Sequence, residues 1–208
     1  MHKYGFFITF EGIDGSGKST HIDWCIKFLK VHNINVIKTR EPGGTIVGNQ
    51  IRDIFLNYNM NAFTESLLSI AARKEHIEKV IKPTLKKGIW VLSDRFNDSM
   101  YAYQAGGRGI NNIILDKLEK YANIDLIPDL TLLFDISIDI SKNRLKKKSL
   151  DKFESENSNF FEKVRNEYIN LAKIHSNRIM LIDGSKSIID IRNILMNKLI
   201  TLIKNFTS

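Results

Sequence analysis

The chain has 208 residues, 43% apolar and 26% charged, the size and balance of one soluble domain with a single sizeable core. Its 31 Lys and Arg against 23 Asp and Glu leave a net charge of +8, which suits an anionic partner, either nucleotide phosphates or a nucleic acid, and equally a lysine-rich surface. Cys25, the one cysteine, excludes an intrachain disulfide, no run approaches the roughly 20 apolar residues of a membrane span, and with no secretory leader ahead of the first strand the expected compartment is the cytoplasm.

In chain order the pattern alternates. Short apolar runs predict strands near 6–11, 35–39, 89–93, 130–136 and 178–182. Helical periodicity falls near 18–31, 45–57, 63–82, 111–123, 139–148, 156–175 and 187–204. The strands show no clear polar alternation, as expected when both faces of a sheet are covered. The expectation is an α/β fold of one domain over 1–208, with a parallel sheet between helical layers. Ligands in such sheets sit beyond the carboxyl ends of the strands, so the residues after each strand are the ones to examine.

The first strand runs into Gly12-Ile13-Asp14-Gly15-Ser16-Gly17-Lys18-Ser19-Thr20. Strand, glycine loop and helix in that order make this a P-loop. Its backbone N–H groups point at phosphate oxygens, Lys18 reaches the β- and γ-phosphates, and the Ser19 hydroxyl suits Mg²⁺. Cys25 falls on the apolar stripe of the following helix and reads as a small buried hydrophobe. After the second strand, Arg40-Glu41-Pro42-Gly43-Gly44 stops the chain, and Thr45 is placed to cap a helix. In the long helix, Phe63, Leu67, Ile70, Ile77 and Ile81 form an apolar stripe, and Arg73 reads either as a solvated face or as a cation reaching into a cleft.

The third strand ends in Ser93-Asp94-Arg95. Asp94 suits a metal ion, directly or through water, and the Arg95 fork suits a phosphate. Ser99-Met100-Tyr101-Ala102-Tyr103-Gln104 follows, with Tyr103 or Gln104 placed to meet a base or sugar. The basic segment 144–154, from Arg144 to Glu154 and including Lys152, is a candidate lid that would bring cations to a transferring phosphoryl group. Asp183-Gly184-Ser185 makes a further rim turn.

Taken together, Glu11 through Thr20, Thr39 through Thr45, Ala71-Ala72-Arg73, Ser93-Asp94-Arg95, Tyr103 through Gly109 and Leu150 through Phe161 make the chain resemble the bacterial-type thymidylate kinase family over almost its whole length. The resemblance implies a nucleoside monophosphate kinase-like P-loop fold with a five-stranded parallel sheet, usually as a homodimer. It implies transfer of the γ-phosphoryl of ATP to dTMP with Mg²⁺. Gly12 to Thr20 would hold ATP, with Ser19 and Asp94 near the metal. Asp14 would accept from the 3′-hydroxyl of dTMP, Arg95 would bind its phosphate, Arg73 the thymine edge, and Tyr103 would lie under the deoxyribose. Ser99, Met100 and Gln104 would complete the acceptor pocket. Lys18, Arg95, Lys152 and Arg144 would neutralise the transferring group.

Three positions depart from the family pattern. Ser69 stands where a stacking Phe is usual, Met100 where a polar thymine reader is common, and Lys152 where the lid carries Arg. Two other classes remain open on sequence alone: a P-loop kinase for another nucleotide or a deoxynucleoside, and a GTPase-like switch or nucleic-acid-bound ATPase. Against the last pair stand the lack of an Asn-Lys-x-Asp motif near the fourth strand and the lack of a basic stripe interleaved with aromatics.

Overall fold

Five short strands lie side by side in one parallel sheet: β1 Phe7–Glu11, β2 Val36–Arg40, β3 Trp90–Asp94, β4 Leu130–Asp135 and β5 Ile179–Asp183. The computed structural model describes residues 4–145 and 156–207. Spatial order is β2-β3-β1-β4-β5, so β1 is central and all five of its residues are buried. Parallel pairing brings every carboxyl end to one edge, and each strand ends on a charged residue: Glu11, Arg40, Asp94, Asp135 and Asp183.

Crossover helices cover both faces. On one face α1 Lys18–Val31 and α9 Ile188–Thr207 pack Ile22, Cys25, Leu29, Leu195 and Leu199 against Ile8, Phe10, Leu92, Leu132 and Phe134. Cys25 is fully buried, and burial pushes its thiol up to about 12. On the other face α8 Ser158–Ile174 buries Phe160, Phe161, Val164, Tyr168 and Leu171 against Ile13, Leu133 and Ile179. Two caps follow their side-chain chemistry. Thr45 Oγ1 accepts from the Gly48 N–H at 2.8 Å and starts α2 Ile46–Asn57, and Asn157 Oδ1 accepts from the Phe160 N–H at 2.9 Å and starts α8.

The helix expected over 63–82 is not continuous. It forms as α3 Ala62–His76, a π-helical turn Ile77–Ile81, and α4 Lys82–Lys86. Pro83, at the start of α4, has no N–H for an i→i−4 bond, and the wider turn ahead of it is where the ladder changes register. The apolar stripe splits earlier, within α3. Ile70, Ile77 and Ile81 are buried, whereas Phe63 and Leu67 are exposed by 42% and 44%. A second π-helical segment, Tyr101–Gly107, follows α5 Asn97–Met100 and lies flat on α8. The approach is close. A Cβ on Gly106 would stand 2.6 Å from Glu167 Cβ, and one on Gly107 would stand 2.5 Å from the Phe160 ring. The remaining helices are α6 Asn112–Tyr121 and α7 Ile138–Leu145.

Candidate active site

The loop after β1 is built to present N–H groups. Gly15 and Gly17 take φ of 76° and 97°, a left-handed backbone that side-chain-bearing residues disfavour, and Gly17 opens α1. Lys18 folds back over the loop. Its Nζ donates to the carbonyls of Gly12 at 2.9 Å and Ile13 at 3.0 Å, and lies 3.9 Å from Asp14 Oδ1. Burial lowers the Lys18 pKa to about 8, with Arg95 adding to the effect. Arg144, in the last turn of α7, donates to the carbonyls of Gly15 and Gly184, each at 3.0 Å, and so ties the loop to the turn after β5. Lys152, also expected among the lid cations, lies outside the described residues.

A pocket opens along this loop. Asp14 through Thr20 line it, together with Asp94, Arg95 and Arg144, while Gly184, Lys186 and Ile188 form its far side. Gly12 and Ile13 lie beneath: Gly12 offers its carbonyl to Lys18 and Arg95, and the Ile13 side chain is in the core. Ser19 and Asp94, the two expected metal ligands, both face this pocket. Their hydroxyl and carboxylate are hard oxygen donors, the kind Mg²⁺ takes when it also keeps water and phosphate oxygens.

A second pocket adjoins the first. All seven residues expected to meet the acceptor (Asp14, Arg73, Arg95, Ser99, Met100, Tyr103 and Gln104) line it. So do Ser69, Phe96 and three residues of α2, Arg52, Phe55 and Leu56. Four residues line both pockets: Asp14, Glu41, Arg52 and Arg95. They mark where the two sites meet.

Arg95 is held from every side. Nη1 donates to Gly12 O, Ser99 Oγ and Tyr168 Oη at 3.0, 3.2 and 3.0 Å, and Nη2 to Asp14 Oδ1 at 2.7 Å and Tyr103 Oη at 3.1 Å. The guanidinium also lies 5.0 Å from the centre of the Tyr103 ring. Its backbone adopts φ 70°, a strained region for an arginine, fixed by Arg95 N–H to Phe10 O at 3.0 Å and Ser93 Oγ to Arg95 O at 2.7 Å. Beneath it Glu11 is fully buried, accepts from Phe96 N–H at 2.6 Å, and has Ser99 Oγ at 2.5 Å and Tyr168 Oη at 2.9 Å from its other oxygen.

Arg73 is not a solvated face. It is 2% exposed. Nε donates to Glu41 at 2.8 Å, Nη1 to Glu119 at 3.1 Å and Met100 Sδ at 3.6 Å, and Nη2 to Phe96 O at 3.3 Å. These contacts use four of its five N–H groups. His76 and Thr39 steady Glu41 from behind, through His76 Nδ1 to Glu41 Oε1 at 2.9 Å and His76 Nε2 to Thr39 Oγ1 at 2.6 Å.

Sequence reasoning did not single out Arg52, Phe55, Leu56, Glu11 and Tyr168 for the site. Arg52 and Phe55 sit in a helix with no motif, and Tyr168 reaches Arg95 from 73 positions away. Of these only Glu11, a lone carboxylate ending a buried strand, carried a signal that could have been followed.

Comparison with known proteins places these features in context. The thymidylate kinase family model matches residues 10–194. A thymidylate kinase of Nitrosomonas eutropha is 49% identical over 191 residues, covering 90% of this chain and 89% of that protein. One from Cupriavidus taiwanensis is 48% identical over 201 residues, covering 95% of this chain and 99% of its own length. A crystal structure of thymidylate kinase from Ehrlichia chaffeensis superposes with a TM-score of 0.72 at 36% identity, covering 86% of this chain and 93% of that one.

Proposed function

The chain belongs to the thymidylate kinase family, and on that footing we propose that it transfers the γ-phosphoryl group of ATP to dTMP, giving dTDP and ADP. One observation carries the reading most directly: a P-loop pocket and a base-sized pocket meet at Asp14, Glu41, Arg52 and Arg95. Donor and acceptor phosphates bound in the two would face each other across Arg95.

Phosphoryl transfer leaves little covalent work to side chains, so the protein's part is positioning and charge. Loop N–H groups and Lys18 hold the donor phosphates. Arg95 holds the acceptor phosphate, and Asp14 takes the 3′-hydroxyl. Tyr103 lies beneath the deoxyribose, while Arg73 offers its remaining Nη2 N–H to the thymine edge. Ser99, Met100 and Gln104 close the acceptor pocket, with Phe96 and Phe55 as apolar cover where Ser69 brings none. Ser19 and Asp94 would hold Mg²⁺, which would supply positive charge against the donor phosphates. Lys152 and Arg144 supply cations from the lid side. Arg144 already stands over the loop, at Gly15.

Two wider statements belong to the same proposal. The enzyme works as a homodimer in the cytoplasm. Support for the dimer is the exposure of large apolar side chains on α2 and α3 and at the end of α2: Ile46, Val47, Ile54, Tyr58, Phe63 and Leu67. Among the described residues no helix is long and apolar enough to cross a membrane.

An ADP-release assay with ATP and Mg²⁺ across dTMP, dUMP, dCMP, dGMP, UMP and thymidine tests the acceptor. dTMP is expected to give the highest kcat/KM, and a clear preference for another acceptor overturns the assignment.

A further inference from the structure

Glu11 is a fully buried carboxyl beneath the site to which the phosphoryl-transfer reading gives no task. Three oxygens form a triangle beneath Arg95. Glu11 Oε2 lies 2.5 Å from Ser99 Oγ and 2.9 Å from Tyr168 Oη, and the two hydroxyls are 2.7 Å apart. Every side of this triangle has hydrogen-bond length. A serine and a tyrosine bring only two hydroxyl hydrogens. With Glu11 ionised, one side would press two oxygens together with no hydrogen between them. A third hydrogen on Oε2 closes the ring, and Oε1 stays a pure acceptor for the Phe96 N–H.

We infer that Glu11 works protonated, completing a ring of three hydrogen bonds with Ser99 and Tyr168 that fixes Arg95 without neutralising it. The surroundings agree. Among the described residues, Arg95, Lys18, Arg73 and Arg178 are cations whose field reaches Glu11, and each already faces another carboxylate, with Asp14 shared by Arg95 and Lys18. Asp14 faces Arg95 and Lys18, Glu41 and Glu119 hold Arg73, and Asp98 grips Arg178 with both oxygens at 2.7 and 2.8 Å. Burial and the neighbouring Asp98 push its carboxyl up to about 7, against the pull of Arg95, Ser99 and Tyr168, while the Tyr103 and Tyr168 phenols are pushed upward by burial and stay neutral.

The benefit is electrostatic. A second carboxylate at Arg95, beside Asp14, would oppose an incoming phosphate. A neutral carboxyl positions the guanidinium and leaves its charge for the acceptor. Glu11 is thus a positioning residue, acting through Ser99, Tyr168 and Arg95. The inference rests on the reading of Arg95 as the acceptor-phosphate ligand.

The test is dTMP binding to the full chain by calorimetry, without ATP, in the parent, Glu11→Gln, Glu11→Ala and Arg95→Ala. Glutamine copies the protonated form, since its amide can donate where the acid O–H did. At pH about 6, Glu11→Gln should bind dTMP within roughly threefold of the parent, while Glu11→Ala binds more than roughly tenfold weaker. As pH rises from about 6 to about 8.5, parent affinity should fall roughly threefold to tenfold relative to Glu11→Gln, because only the parent acquires the extra charge. Comparison with Gln cancels titration of Lys18 and of the ligand phosphate, which the two proteins share. The infrared spectrum of the ligand-free parent should hold a protonated-carboxyl C=O band at neutral pH that Glu11→Gln lacks. Loss in Glu11→Gln equal to that in Glu11→Ala, parallel pH profiles, or no such band overturns the inference. If Arg95→Ala binds dTMP as well as the parent, the reading of Arg95 fails instead, and the infrared band still decides the state of Glu11.

Discussion

Asp14 and Arg95 meet at 2.7 Å, and the same aspartate stands 3.9 Å from Lys18. One loop carboxylate therefore contacts both cations, and on the proposed reading these belong to the donor and the acceptor pocket. There it would hold both heads in place before any nucleotide arrives, the preorganisation that charge-stabilising sites depend on.

Removing either cation should cost turnover rather than folding. Lys18→Ala and Arg95→Ala are each expected to lower kcat/KM by roughly a hundredfold to a thousandfold, about 3–4 kcal/mol. Far-ultraviolet circular dichroism should show a folded chain. Activity within tenfold of the parent, in a folded variant, would remove that residue from the phosphate machinery.

Lys18 also sets a pH limit. Its pKa is lowered from 10.5 to about 8, so the free enzyme should lose kcat/KM for ATP as pH rises through about 8. Bound triphosphate favours the charged amine, so the break in kcat should lie at higher pH. Stability runs the other way. Between about 8 and 10.5 the unfolded chain holds the proton that the folded chain has released, so this group's contribution to stability grows with pH across that window and is smallest below it. Initial rates and urea melts at matched pH values separate the two effects.

Arg73 is a structural cation as well as a candidate base reader. Truncating it leaves Glu41, 4% exposed, with His76 as its partner and no arginine, and leaves Glu119 with Tyr101. Arg73→Ala should therefore lower the unfolding free energy by about 3–5 kcal/mol, the usual result of breaking a buried pair on one side. Denaturant unfolding reads it directly. A loss below about 1 kcal/mol would mean that the network is not held together through Arg73.

Ser69 lines the acceptor pocket beside Phe96, Met100 and Phe55. A ring stacked on a base contributes about 1–3 kcal/mol, and serine cannot provide it. Ser69→Phe is expected to lower KM for dTMP with kcat little changed, and Phe55→Ala to raise it. Met100→Ala should raise KM too and also destabilise the fold, since Met100 is buried against Ile70 and Leu115 and touches Arg73. If KM stays fixed in all three, the base does not sit against these side chains.

The alternation of strands and helices was legible because each strand is a short apolar run ended by a charged residue. The P-loop and the Asp94–Arg95 strand end were legible because their chemistry is local. What stayed hidden was tertiary. Phe63 and Leu67 continue the stripe of Ile70 and Ile77 by spacing alone, yet they lie in the first half of α3, outside the core clusters, and stay at the surface. Tyr168 and Arg52 join the site only because α8 packs against the Tyr101–Gly107 segment and α2 against α3. Arg95's left-handed backbone has no signature in a residue type that rarely adopts it.

Cys25, the sole thiol, is sealed between α1 and the sheet with its pKa near 12, so its reactive thiolate is scarce at neutral pH. For labelling chemistry the chain is a blank surface. A cysteine placed by mutation at an exposed position such as Tyr121 or Ile127 becomes the one handle that a maleimide dye or nitroxide can find. Pairs of such handles would report distances across the enzyme during turnover, with the native cysteine left in place.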